Sequence, residues 1–239
     1  MIKTMAEIDH FWKYNEGKII KEIENYIIST YQGHYCGNED GYSDIQTIDW
    51  IKNPNCWFME PIPIFAEQIK ENLTSNIIQS ALSVFDGKSS FTIFPDAHGW
   101  SCLSDVDLNI DQKSRIHTKR EIEVECITYK SIQDKLSLIF DVLVLDIEGY
   151  EEKILQYFKT IDGKYLPKII CIECGYDWEN RKKLMKQNGY NLDFYYYNNA
   201  YFSHCSSKIS LNSKVVDEYN KQNPIFVWEN TIIYKNELL

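Results

Sequence analysis

A chain of 239 residues, 44% hydrophobic and 14% aromatic, is long enough for one large α/β domain and apolar enough to fill its core. Its net charge of −10 argues against nonspecific nucleic-acid binding, which rests on Lys and Arg. The N-terminus lacks the apolar core of a signal peptide, and no apolar run is long enough to span a bilayer, so a soluble cytoplasmic protein is expected. The cysteines number seven, which is odd. Cys56, Cys126, Cys171 and Cys174 lie in or beside apolar runs, which predicts buried reduced thiols rather than a disulfide framework or a zinc site.

In chain order, residues 6–29 carry Ile8, Phe11, Trp12, Ile19, Ile20, Ile23 and Ile27 at helical spacing, which predicts a helical extension over 1–32 ahead of one domain over 33–239. A short strand over 34–36 enters the loop Gly37-Asn38-Glu39-Asp40-Gly41, and a helix follows over 45–52. A strand over 56–59 ends at Glu60, and Pro61 or Pro63 opens a helix to about residue 73, where the missing proline donor costs nothing. Residues 76–84 read as one strand, and Asp86-Gly87 as a hairpin turn to a returning strand at 91–94. Residues 95–120 are polar and irregular, in the manner of a binding loop or lid.

Over 121–129 acids alternate with Ile122, Val124 and Cys126, a half-exposed strand. A buried strand over 141–147 carries Asp146 and, two residues on, Glu148; Gly149 follows, and Glu151 starts a helix. A further buried strand over 168–172 ends in Glu173, and a helix over 177–188 stops at Gly189. Strands at 192–197 and 225–234 come last. This order predicts a mostly parallel sheet with an antiparallel C-terminal hairpin.

Ligands of such sheets sit at the carboxyl ends of the strands, and three candidate features fall there. Gly37, Asp40 and Gly41 could let the backbone approach a ligand. Glu60 could accept hydrogen bonds from both hydroxyls of a ribose. Asp146 could face a reacting group, while Glu148 could either do chemistry or cap the following helix. The loop lacks the middle glycine that admits a pyrophosphate, and its acids suit a positive sulfonium, so S-adenosylmethionine fits better than NAD.

These residues resemble the FkbM family of S-adenosylmethionine-dependent methyltransferases. The likeness is carried by Gly37-Asn38-Glu39-Asp40-Gly41, Glu60-Pro61-Ile62-Pro63, Ser80-Ala81-Leu82-Ser83 with Asp86-Gly87, Gly99-Trp100-Ser101, Leu145-Asp146-Ile147-Glu148-Gly149-Tyr150-Glu151, and Asn199-Ala200-Tyr201-Phe202, over residues 33–203. It implies a Rossmann-like class I methyltransferase fold with a seven-stranded sheet. It also implies donor contacts from Gly37, Asp40 and Gly41, ribose contacts from Glu60, and an adenine lining from Ser80, Ala81 and Leu82, with Asp146 beside the transferred methyl. The activity it implies is O-methylation of a sugar, glycan or glycosylated metabolite.

Asp146, Glu148 and Glu173 are the candidate catalytic acids, with His98 and His204 as further candidate bases. Asp146, Glu173 and Asn199 could offer oxygen ligands to Mg²⁺. An RNA or cap methyltransferase, a non-catalytic donor-binding module and an NAD oxidoreductase are the competing readings.

Overall fold

The computed structural model describes residues 26–29, 55–72, 76–95, 98–107, 113, 116–174, 178–196, 199–207, 225–228 and 231–234, with backbone alone at 26–29, 72, 98, 194, 196, 225–228 and 231–234. The elements up to the first acidic loop are β1 Tyr26–Ser29, β2 Cys56–Met59, α1 Pro63–Asn72, β3 Ile77–Ile78, β4 Ala81–Ser83, β5 Gly87–Ile93, β6 Cys102–Leu103, β7 Arg120–Thr128, α2 Tyr129–Leu136 and β8 Phe140–Leu145. After it come α3 Glu151–Tyr157, β9 Ile169–Glu173, α4 Trp178–Gln187, β10 Tyr190–Tyr196, β11 Asn199–His204, β12 Ile225–Trp228 and β13 Thr231–Tyr234.

The main sheet is mixed and runs β10-β11-β9-β8-β1-β2-β3. From β3 to β9 every neighbour is parallel, whereas β11 is antiparallel to both β9 and β10. β8 is buried at every position, and β9 at all but its last. Strands covered on both faces read as continuous apolar runs rather than alternating ones, which is why Val142-Leu143-Val144-Leu145 and Ile169-Ile170-Cys171-Ile172 stand out in the sequence. At the amino-terminal edge, buried Asp141 pairs with Lys168 at 2.9 Å, so that end of β8 is closed by an ion pair.

Several expectations are corrected. Residues 26–29, expected as the end of a helical extension, form β1, paired on one side with β2 and on the other with β8. An Ile-rich run satisfies helical spacing and a strand equally well, and two ready partner strands decide between them. The expected strand at 34–36, the loop with Gly37, Asp40 and Gly41, and the helix at 45–52 lie outside the described residues.

The single strand expected over 76–84 is two. The chain breaks at Gln79-Ser80, leaving β3 in the main sheet and placing β4 in a second sheet of order β4-β7-β5-β6. Asp86-Gly87 does not close a hairpin, because β7 lies between β4 and β5, parallel to the first and antiparallel to the second. Asp86 instead accepts hydrogen bonds from Thr128 N at 2.8 Å and Ser131 Oγ at 2.7 Å. It thereby ties the turn to the start of α2, a short helix with no counterpart in the sequence reading. The antiparallel hairpin of the main sheet is β10–β11. Residues 225–234, expected as one strand, form the separate two-stranded pair β12–β13.

The half-exposed strand is as expected: Val124 and Cys126 are buried while Glu121, Glu123 and Glu125 are exposed. Cys56, Cys126, Cys171 and Cys174 are buried free thiols. Gly189 ends α4 with φ +83°, a left-handed conformation open to glycine at little cost.

Candidate functional site

β8 and β9 end side by side. Leu145 pairs with Ile172, so the next residues, Asp146 and Glu173, emerge together at the carboxyl edge. β11 runs the other way and sets Asn199 opposite Glu173. Directly opposed residues of neighbouring strands point to the same face of a sheet. Asp146, Glu173 and Asn199 therefore form a row across three strands. Glu148 joins it from the loop: one carboxylate oxygen from each of Asp146, Glu148 and Glu173 lies within 4.8 Å of the others. Asp146 is buried, and the two glutamates are half-buried.

The loop carrying these acids is held from beneath by Glu151, which is 1% exposed. Its Oε1 accepts a hydrogen bond from Ile147 N at 2.9 Å, and its Oε2 accepts one from Gly149 N at 2.9 Å. Oε2 also meets Arg181 Nη2 at 2.9 Å, and Arg181 Nη1 donates to the carbonyl of Glu173 at 3.0 Å. One buried guanidinium thus connects the loop after β8 to the end of β9. Glu148 is not the helix cap that the sequence allowed. The N-cap position of α3 is Tyr150, and Glu148 stands two residues before it at φ +54°, in the left-handed region. Left-handed backbone costs a non-glycine residue about 1 kcal/mol, and such strain collects where a side chain must be aimed. Gly149 follows at φ +95°, and a Cβ there would stand 2.8 Å from Val106 Cγ1.

Val106 belongs to the described part of the long polar segment, which packs beside the acids. Lys153 of α3 pairs with Asp105 at 2.5 Å. Burial, followed by the charge of Glu148, pushes the Cys102 thiol up to about 12. Ser101 is fully buried and accepts a hydrogen bond from Phe94 N at 3.3 Å.

Glu60 stands at the carboxyl end of β2, on the same edge of the sheet. It is wholly buried, and its Oε1 accepts a hydrogen bond from Ile62 N at 2.7 Å, which fixes the carboxylate at the start of α1. Ser80 is half-buried at the switch between the two sheets, while Ala81 and Leu82 are fully buried core residues of β4. His204 is not at this edge. Its amide bonds to the carbonyl of Lys168, at the opposite end of β9, and its Nδ1 faces Ser206 Oγ at 2.7 Å. The side chain of His98 lies outside the described residues.

Sequence reasoning named Asp146, Glu148 and Glu173 and gave no role to Glu151 or Arg181. A signal for Arg181 was present: Trp178, Arg181, Leu184 and Met185 recur at helical spacing, so the arginine falls on the apolar stripe of α4. A charge on a buried stripe demands a partner.

Acids gathered at the carboxyl ends of adjacent parallel strands define an α/β protein that takes its ligand at that edge. A family model for the methyltransferase FkbM domain matches residues 35–205, most of the chain and all of the acidic edge. The chain belongs to the FkbM methyltransferase family and is an S-adenosylmethionine-dependent methyltransferase. No curated protein and no solved structure matches it.

Proposed function

We propose that this methyltransferase moves the methyl group of S-adenosylmethionine to a hydroxyl of a sugar, glycan or glycosylated metabolite in the cytoplasm. The observation that carries the reading is the convergence of Asp146, Glu148 and Glu173 within 4.8 Å at the edge where a parallel sheet receives its ligand. A hydroxyl is a poor nucleophile until a base takes its proton, and carboxylates are the titratable groups gathered here. In this reading the main sheet is the seven-stranded class I methyltransferase sheet. Glu60 accepts the ribose hydroxyls, and the chain at Ser80, Ala81 and Leu82 borders the adenine. Gly37, Asp40 and Gly41, in the connection between β1 and β2, surround the methionine part.

Methyl transfer from a sulfonium is an in-line displacement. The acceptor oxygen forms a bond to the methyl carbon as the carbon–sulfur bond breaks, and the electron pair goes to sulfur, leaving S-adenosylhomocysteine. The donor is already activated, so the protein's task is alignment and removal of one proton. Asp146 takes that proton from the acceptor hydroxyl. Its place at the end of β8 is fixed through Ile147 N and Gly149 N by Glu151, so it meets the acceptor without reorganising. The net charge of −10 and the acidic edge favour a neutral carbohydrate over a nucleic-acid acceptor.

The test is calorimetric titration with S-adenosylhomocysteine, then transfer of labelled methyl from the donor to a panel of sugars and glycans. Donor binding with transfer to a glycan, abolished in Asp146→Asn, is the expected result. Methylation of RNA alone, or of amines alone, would overturn the acceptor assignment. Binding of the product with no transfer to any acceptor class would favour a non-catalytic module.

A further inference from the structure

We propose that Lys153 is a positioning residue for methyl transfer, docking the segment 102–107 on the turn that carries Glu148. This rests on the reading that Asp146 and Glu148 face the reacting groups. Lys153 stands in the first turn of α3. Its ammonium meets Asp105 Oδ2 at 2.5 Å and lies over the ring of Tyr150, 4.5 Å from the centroid. Tyr150 directly follows Glu148-Gly149, is 2% exposed, and its hydroxyl stands 3.4 Å from Ser83 Oγ of β4. The lysine therefore joins the residue that closes the acidic turn to a segment that leaves the second sheet.

That segment is anchored at its other end. Cys102 and Leu103 pair with Thr92 and Phe91 of β5. The Ser104 amide donates to the carbonyl of Ser90 at 3.0 Å, and its hydroxyl donates to Ser90 Oγ at 3.0 Å and faces Thr92 Oγ1 at 2.8 Å. Val106 N turns back to the carbonyl of Leu103 at 3.0 Å. With Asp105 held by Lys153, Val106 lies so close to Gly149 that a Cβ there would stand 2.8 Å from Val106 Cγ1. Glu151 holds the amides of Ile147 and Gly149, and Val106 fills the space beside the glycine. Glu148, lying between those two residues, is aimed by both contacts.

Exposure separates this role from a structural one. The Lys153 and Asp105 side chains are 40% and 56% exposed. A pair so open to water contributes little to stability and is screened by salt. A small displacement of a reacting group, by contrast, costs a large factor in rate. Loss of the pair should therefore be felt in transfer and in the acidic turn, and scarcely in unfolding.

The test compares full-length wild type, Lys153→Met, Asp105→Asn and Lys153→Arg, with Asp146→Asn as the reference for the site. Lys153→Met keeps the stem over Tyr150 and loses the charge, while Lys153→Arg keeps a cation that can reach Asp105 and cover the ring. Hydrogen exchange at the amides of residues 147–150 should quicken in Lys153→Met and Asp105→Asn and return toward wild type in Lys153→Arg. NaCl should quicken it in wild type and leave Lys153→Met unmoved. The kcat toward the acceptor that wild type methylates should fall about tenfold in the first two variants, with affinity for S-adenosylhomocysteine and the urea midpoint unchanged. Wild-type exchange or wild-type kcat in both variants would overturn the proposal. So would an equal loss in Lys153→Arg, or a urea midpoint that falls together with kcat, the mark of a merely structural role. Exchange is read without an acceptor and decides the docking by itself. Loss of transfer in Asp146→Asn with wild-type kcat in Lys153→Met removes the positioning residue and spares the site; full transfer in Asp146→Asn removes the reading of the site.

Discussion

Arg181 and Glu151 meet at 2.9 Å in an ion pair of which neither side chain is more than 6% exposed, and through it the ends of two parallel strands are held as one piece. Each charge is heavily desolvated, so the pair is not in itself a source of much stability. Removing one partner leaves the other buried and uncompensated. Arg181→Ala is therefore expected to cost about 3–5 kcal/mol in urea unfolding. Arg181→Lys should fall between, because a single ammonium cannot reproduce the fork that reaches both Glu151 and the Glu173 carbonyl. Hydrogen exchange at the amides of Ile147 and Gly149 should quicken in both variants. A loss below about 1 kcal/mol in Arg181→Ala, the level of an exposed pair, would remove the clamp.

The turn above this pair is where stability and activity pull apart. Glu148 holds a left-handed backbone that glycine adopts freely. Glu148→Gly should raise stability by about 1 kcal/mol, offset in part by the greater freedom of the unfolded chain, while methyl transfer falls. Gly149→Ala should do the opposite of stabilising. It forces a Cβ into left-handed backbone and against Val106 Cγ1 at 2.8 Å. Pairing it with Val106→Ala relieves the contact but not the backbone, so only part of the loss should return. Thermal midpoints of the four proteins check the pattern, and full recovery in the double variant would show that the backbone carries no strain.

What the sequence disclosed follows from how local each signal is. The acids Asp146, Glu148 and Glu173 were legible because each closes or follows an apolar run that only a buried strand explains. Glu60 was legible because Pro61 and Pro63 fix the start of the next helix. The sheet partners were not. Tyr26-Ile27-Ile28-Ser29 has too few residues for periodicity to separate helix from strand, and its partners lie 27 or more residues away in the chain. Asp86-Gly87 carries the local chemistry of a hairpin, yet β7, contributed by a segment more than 30 residues later, takes the place between the two strands. The clamp required knowing that α3 and α4 pack together, which brings Glu151 and Arg181 into contact across 30 residues.

Glu60 gives a direct test of donor recognition. Its carboxylate is buried and anchored through Oε1 to Ile62 N, so little conformational freedom is lost when it accepts further hydrogen bonds. Hydrogen bonds to a charged group contribute about 1.5–3 kcal/mol each. Glu60→Gln keeps an acceptor for Ile62 N but loses the charge. S-adenosylhomocysteine should then bind about ten- to a hundredfold more weakly in calorimetry, with the unfolding midpoint little changed. Unaltered affinity in this variant would take Glu60 out of the donor site.

Alkaline pH should destabilise the protein through buried thiols and a buried phenol. Burial pushes Cys126 to about 11, Tyr195 to about 12, and Cys102 to about 12, where the charges of Glu148, Asp105 and Glu151 add to the effect. For a group whose proton is held more tightly in the folded state, the stability it contributes is complete below the unfolded pKa. That contribution is lost as pH rises toward and through the folded value. For Cys102 the window opens near the ordinary thiol value of 9.0 and closes near 12. Between those limits the unfolded chain has released the thiol proton and the folded chain has not, a difference of about 1.4 kcal/mol per pH unit. Urea unfolding of wild type and Cys102→Ala should therefore run parallel from pH 7 to 8.5. The wild type should then fall more steeply, by roughly that slope, between pH 9.5 and 11. Lysine deprotonation lowers both curves alike, so the comparison of slopes isolates the thiol. Equal slopes above pH 9.5 would mean that Cys102 ionises as readily in the fold as out of it. Glu148→Gln should leave the onset of the fall near pH 9 in place but end it at a lower pH with a smaller total loss, since removing that charge eases ionisation of the folded thiol beside it.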